Sequence, residues 1–112
     1  MSYEVRLVSQ AELELAGAAL WWSENRDPDQ AFRWLEGFEA AISALADNPG
    51  KCPLAREDAE FDFELRQLNY GLSPKPTHRA LFRVDEAERL VRVLSIRHLH
   101  QKDITPEDLR SP

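Results

Sequence analysis

An α+β fold with the element order β-α-α-β-β-β is what this 112-residue sequence predicts. Three observations predict it. Residues 3–8 alternate apolar and polar side chains, as a half-buried strand does. Between Ser9 and Asp47 apolar residues recur twice at helical spacing. Three further segments, near 63–70, 78–85 and 89–98, are rich in β-forming residues and alternate again. The expected architecture is an antiparallel sheet packed against an N-terminal helical hairpin.

In the first strand Tyr3, Val5 and Leu7 share one face, and Glu4 and Arg6 the other. Ser9-Gln-Ala-Glu12 has the form of a capping box, in which each end residue satisfies a free amide of the other. It is expected to open a helix running to about Asn25. Leu15, Ala18, Ala19 and Trp22 lie on one side of that helix, which places Trp22 in the core. Trp21 points about a quarter turn away, as a flank of the core or part of a partner surface. Asp27-Pro28-Asp29-Gln30 reads as the second helix start, with Asp27 as cap and Pro28 in the first turn. Its apolar stripe is Ala31, Leu35, Phe38, Ile42 and Leu45, with Trp34 beside it. Asn48-Pro49-Gly50 ends it. The short link between the two helices implies an antiparallel pair. Cys52-Pro53-Leu54-Ala55 is a hydrophobic knot within an acidic loop, able to pin that loop to the core. Pro74 and Pro76 mark a loop before the next strand, and Asp85-Glu86-Ala87-Glu88 is a tight hairpin turn. Thr105-Pro-Glu-Asp108 has the pattern of one last helical turn.

The length suits one domain covering residues 1–112. A hydrophobic fraction of 43%, a charged fraction of 30% and the aromatic content (3 Trp, 2 Tyr, 5 Phe) fit a globular core and not a disordered chain. No stretch approaches the ~18 apolar residues of a membrane span, so a cytoplasmic protein without membrane contact is expected. The lone Cys52 has no partner for an internal disulfide. The formal net charge of -6 is unevenly spread. Residues 1–60 carry 5 Lys/Arg against 12 Asp/Glu, whereas residues 61–102 carry 8 against 5. Arginines interleaved with aliphatics on the last three strands predict one oily and one basic sheet face. Overall acidity argues against broad nucleic-acid binding. The basic face remains a seat for a phosphate group or an acidic peptide.

No Gly-rich phosphate loop, cysteine pair or His-Glu-x-x-His pattern is present. His78, His98 and His100 lack a visible fourth zinc ligand, so no metal and no cofactor are expected. Cys52 has no obvious base beside it and reads as structural. The best catalytic set is Arg66, Arg79, Arg83, Arg97 and His98. Cleavage of RNA by its own 2′-hydroxyl needs charge stabilisation, which arginines supply, and an acid or base, which His98 supplies. Strand parity sets Arg97 and His98 on opposite faces, so convergence requires a bulge or strand end to re-aim one of them.

Ala11-Glu12, Trp22, Ala31, Trp34-Leu35, Ala41-Ile42, Asn48-Pro49, Cys52-Pro53-Leu54-Ala55, Leu65-Arg66-Gln67-Leu68, Gly71, His78-Arg79 and the closing strand Val91 to His98 follow one another at a characteristic spacing. In that order they resemble the RelE/ParE superfamily of bacterial toxins of type II toxin–antitoxin systems, over about residues 3–101. The resemblance implies the same sheet and helical hairpin, and a cognate antitoxin partner. It implies growth inhibition, either by mRNA cleavage at the ribosome, as RelE-like members do, or by inhibition of DNA gyrase, as ParE-like members do. Arg66, Arg79, Arg97 and His98 fall at candidate functional positions. Trp21, Arg79 and Arg92 are the expected antitoxin contacts. Two departures stand out: His78 precedes Arg79 where the family often has tyrosine, and residues 104–112 are acidic and proline-containing. A non-toxic interaction module that keeps the fold is the alternative.

Overall fold

A computed structural model describes residues 2–109. It contains β1 (Glu4–Leu7), α1 (Ser9–Asn25), α2 (Pro28–Ser43), β2 (Arg66–Tyr70), β3 (His78–Asp85) and β4 (Leu90–His98), in the predicted order. Short 3-10 turns follow α2 and lie in the connecting loops, and one at Pro106–Leu109 is the expected last turn. Among the described residues no helix is long and apolar enough to cross a membrane.

The sheet order is β1-β4-β3-β2. The β2–β3 and β3–β4 pairs are antiparallel, but β1 runs parallel to β4, with Val5 opposite Val91. The sheet is therefore mixed, not wholly antiparallel. A parallel neighbour needs a long crossover, and the whole helical hairpin stands between β1 and the other strands. Pattern in the sequence carries no information on that direction.

The α1 start also differs from expectation. Val8 donates its amide to Val93 O at 3.0 Å and accepts from the Glu12 amide at 3.0 Å, so the N-cap position falls on Val8. The capping box is not formed, because the strand ladder extends one residue further and draws Ser9 into the first turn. The α2 start matches: Asp27 accepts from the Gln30 amide at 2.8 Å.

The hairpin covers one sheet face, called the front. Ala11 and Leu15 of α1 and Trp34, Phe38 and Ile42 of α2 pack there against Ala80, Phe82, Val91, Val93 and Ile96. Trp34 is fully buried at the centre of this layer, while Leu35 is only partly buried at its flank. Trp22 is half-buried against the same core. An added Cβ on Gly37 would lie 2.1 Å from the Tyr70 hydroxyl, so glycine is what lets β2 approach α2 there.

The back face is wet and basic, as alternation predicted, only where Arg6, Arg83 and Arg92 meet; around Arg79, Leu81 and Arg97 it is covered. Ala55 and Leu65 from the loop after α2, and Ile104 from the C-terminal segment, form a second core with Leu81. The knot at 52–55 pins the loop as expected: the Ala55 amide donates to Leu65 O at 2.7 Å and the Gln67 amide to Pro53 O at 3.1 Å.

A register shift separates Leu81–Ser95 from Phe82–Val93, leaving Leu94 as an extra residue on β4. Glu14 of α1 closes this bulge. Its Oε1 accepts from the Ile96 amide and from Ser95 Oγ, each at 2.9 Å. Ser95 is fully buried, so removing the acceptor strands two buried donors. Glu14→Ala is expected to cost about 1–3 kcal/mol in chemical denaturation, with Glu14→Gln costing less because it keeps an acceptor oxygen.

Candidate functional site

The five candidate catalytic residues occupy four separate environments. Arg79 is fully buried on the back face. Its Nη1 donates to Glu57 Oε1 at 2.8 Å and to Gln67 Oε1 at 2.9 Å, and its Nη2 donates to Glu57 Oε2. Burial pushes the Glu57 carboxyl up, but the Arg79 bonds and charge and the Ile104 amide outweigh it and hold the carboxyl at about 2. That amide donates to Glu57 Oε2 at 3.0 Å, so one carboxylate ties a sheet arginine to the C-terminal segment. The half-wet environment expected for Arg79 is thus a closed one, because the loop carrying Glu57 folds over it.

Arg97 is the cross-strand neighbour of Arg79 and is also buried. Its Nη2 donates to Lys102 O at 2.7 Å. Arg83 lies four residues along β3 from Arg79, about 13 Å at the usual strand rise. Its guanidinium sits 4.4 Å from the centre of the Phe63 ring. Arg66, at the sheet edge, donates to Cys52 O at 2.6 Å and pairs with Glu64 at 2.9 Å. His98 is exposed at the front end of β4. The bulge lies before both Arg97 and His98, so it does not bring them onto one face: Arg97 pairs with Arg79 and His98 with His78. Of the expected antitoxin contacts, Trp21 is 51% exposed on the helical side. Arg92 is exposed on the back face beside Arg83 and Arg6, and Arg79 is enclosed.

The front end of the sheet carries a cleft that residue-by-residue reading did not assemble. Ala18, Trp21 and Trp22 from α1, Arg26 just after it, and Thr77, His78 and His98 from the strand ends enclose about 380 Å³. A second hollow of about 430 Å³ shares Trp22, Arg26 and Thr77 and continues to Gln30, Arg33, Leu72 and Ser73. Sequence distance hid this arrangement: the α1 end and the starts of β3 and the end of β4 meet only because the hairpin lies along the sheet. Gly71 lets the loop before β3 close on itself, since an added Cβ there would lie 2.6 Å from Lys75 O and 2.9 Å from Pro76 Cα.

Inside the cleft the His78 and His98 rings are 5.2 Å apart, and His78 rests 4.9 Å from Trp34. Burial, with His98 nearby, pushes His78 down to about 4, so it is neutral near pH 7. Its Nδ1 is hydrogen-bonded to Thr77 Oγ1 at 2.8 Å. His98 Nδ1 accepts from the His100 amide at 3.1 Å, leaving Nε2 for the cleft. The Trp22 Nε1 donor is buried without an acceptor among the described residues. Among the described residues no three His, Cys, Asp or Glu side chains are grouped to hold a metal ion. The cleft therefore offers aromatic walls, hydrogen-bond donors and one guanidinium, a combination suited to binding an apolar group that carries an acceptor.

The sequence matches a family profile described as the ParE toxin of the type II toxin–antitoxin system parDE, over residues 5–102. No curated protein matches it. Among solved structures, the chain is similar to one from the chromosomal ParDE system of P. aeruginosa, at 16% identity and a TM-score of 0.69, covering 88% of this chain and 97% of that one. It is also similar to a chain of the RelBE2 toxin–antitoxin complex of Mycobacterium tuberculosis, at 23% identity and a TM-score of 0.54, covering 90% and 95%. A mutant of the E. coli toxin RelE in its free state matches at 13% identity and a TM-score of 0.57, covering 89% and 86%.

Proposed function

Since the chain belongs to the ParE toxin family of type II toxin–antitoxin systems, we propose that it inhibits growth by binding a protein target, DNA gyrase, and not by cutting mRNA. A cognate antitoxin neutralises it, and both act in the bacterial cytoplasm. The observation that carries this reading is the dispersal of the arginines. Arg79 donates to Glu57 and Gln67, and Arg97 to the Lys102 carbonyl, and both are buried within the protein. Phosphoryl-transfer chemistry needs such donors converging on one developing charge, and Arg66 and Arg83 lie far from both. Arg79 then has a structural role, holding loop to sheet. Trp21 and Arg92 are the exposed members of the expected antitoxin set.

Ribosome-dependent RNA cleavage is the second reading, favoured by the facing imidazoles of His78 and His98. Induction of the chain alone in a bacterial host separates the alternatives. Growth arrest with relaxed plasmid DNA and intact mRNA supports the gyrase reading. New mRNA ends in primer extension would replace it with cleavage, and unimpaired growth would leave a non-toxic interaction module. A second expected result concerns the paired variant Glu57→Leu with Arg79→Met. Replacing a buried ion pair by apolar residues of similar volume is often neutral for stability. This variant is expected to fold and still arrest growth; loss of arrest in a folded variant would return Arg79 to the functional set.

A further inference from the structure

We infer that the two adjoining hollows between His98 and Leu72 form a docking site for a short acidic amphipathic peptide segment of a partner protein, with two carboxylates flanked by apolar side chains. This deepens the antitoxin-binding reading of Trp21 and rests on it.

The argument starts from shape. The two hollows share Trp22, Arg26 and Thr77, so they lie side by side. Together they exceed what a single side chain fills, and the run from a strand end to the 71–77 loop suits several residues of an extended or helical segment. Charge comes next. The chain is acidic overall, and residues 1–60 strongly so. Yet Arg26 at the end of α1 and Arg33 on α2 both line the groove, and neither is ion-paired within the described residues. Elsewhere Arg6, Arg56, Arg66, Arg79 and Arg89 each hold a carboxylate, whereas Arg83 lies against Phe63 and Arg97 donates to a backbone carbonyl. Two guanidinium groups without a carboxylate partner, set between the apolar Trp21–Trp22 wall and Leu72, are the complement of two carboxylates, which they bind in forked geometry.

The apolar positions then order the ligand. Trp21 and Trp22 meet edge to face at 5.8 Å and, with Ala18, form an oily wall at one end. Leu72, 40% exposed, lies at the other. Arg26 and Arg33 belong to the hollow that reaches Leu72, and Arg26 also borders the tryptophan wall. The resulting pattern is apolar, acidic, acidic, apolar. A nucleic-acid strand fits less well, because its many phosphates would meet the acidic remainder of the surface.

The test uses the whole chain and its tryptophan emission, since two of its three tryptophans line the groove. The probe is a short acetylated and amidated peptide carrying two adjacent glutamates between two leucines. Controls are the glutamine counterpart, a leucine-free glutamate peptide and a short single-stranded RNA. Saturable change in emission is expected with the leucine–glutamate peptide and at least about tenfold weaker binding for each control. Arg26→Glu with Arg33→Glu, shown folded by circular dichroism, should reverse the preference toward a peptide with lysines in place of the glutamates. Equal binding of the glutamine peptide, preferential binding of RNA, absence of saturable binding, or indifference to charge reversal would each overturn the inference. Growth arrest by the unaltered chain is a separate measurement. If arrest occurs and the peptide does not bind, the groove assignment fails and the toxin reading stands.

Discussion

Glu57→Ala is expected to lower the unfolding free energy by about 3–5 kcal/mol, read as a shift of the urea midpoint. The carboxylate is 3% exposed and lies at the junction of three parts of the fold: the loop after α2, β3 through Arg79, and the C-terminal segment through the Ile104 amide. Alanine leaves the fully buried Arg79 with only Gln67 as a partner and strands a buried amide. A loss below about 1 kcal/mol would show that the loop opens to water without consequence and that the back-face cover is weakly held.

The same carboxylate predicts an acid dependence. Its folded value of about 2 lies below the ordinary 4.5, so the unfolded chain binds the proton more tightly. The stabilisation is fully present above pH 4.5 and is lost as pH falls toward 2. His78 acts in the same direction at higher pH. Its folded value of about 4 lies below 6.5, so stability declines as pH drops from 6.5 toward 4. Stability measured across these windows should fall in two stages on acidification. Glu57→Gln should remove the lower stage and leave the upper one; persistence of the lower stage would assign it to another carboxylate.

Trp34→Ala is the second large effect, about 3–5 kcal/mol. Trp34 is fully buried and its ring lies 5.4 Å from Phe38, 6.2 Å from Tyr70, 6.2 Å from Trp22 and 4.9 Å from His78. Its removal opens a cavity between α2 and the sheet and takes the floor from under the cleft. Trp34→Phe should cost less, since most of the ring volume stays and the indole Nε1, which lacks an acceptor among the described residues, is deleted. Differential scanning calorimetry compares the two. Equal losses would mean that the indole N–H, not the ring volume, matters at this site.

Periodicity located these elements well because it reports which side of an element is dry. Ala31, Phe38, Ile42 and Leu45 are buried as their spacing requires, and Asp27 caps α2 as its position requires. Strand parity also separated Arg97 from His98 correctly, since their partners Arg79 and His78 lie on opposite faces. The Arg79 environment was less legible. An arginine between aliphatics reads as a wet face unless a carboxylate is known to cover it, and Glu57 is 22 residues away in a loop. The one available signal was the apolar knot beside Glu57, which marked that loop as anchored.

By itself, the sequence determined the number and order of the secondary elements, the dry faces of the two helices, and the family to which their spacing belongs. Those properties depend on contacts within a few residues, and neighbouring side chains record them. Only the tertiary structure decided the direction of β1, the burial of Arg79 and Arg97, and the meeting of Trp21, Trp22, Arg26, His78 and His98 in one groove. Each of these depends on which distant segment closes over which face. That outcome is set by long-range packing and by the pairing of buried charge, and no local pattern encodes it.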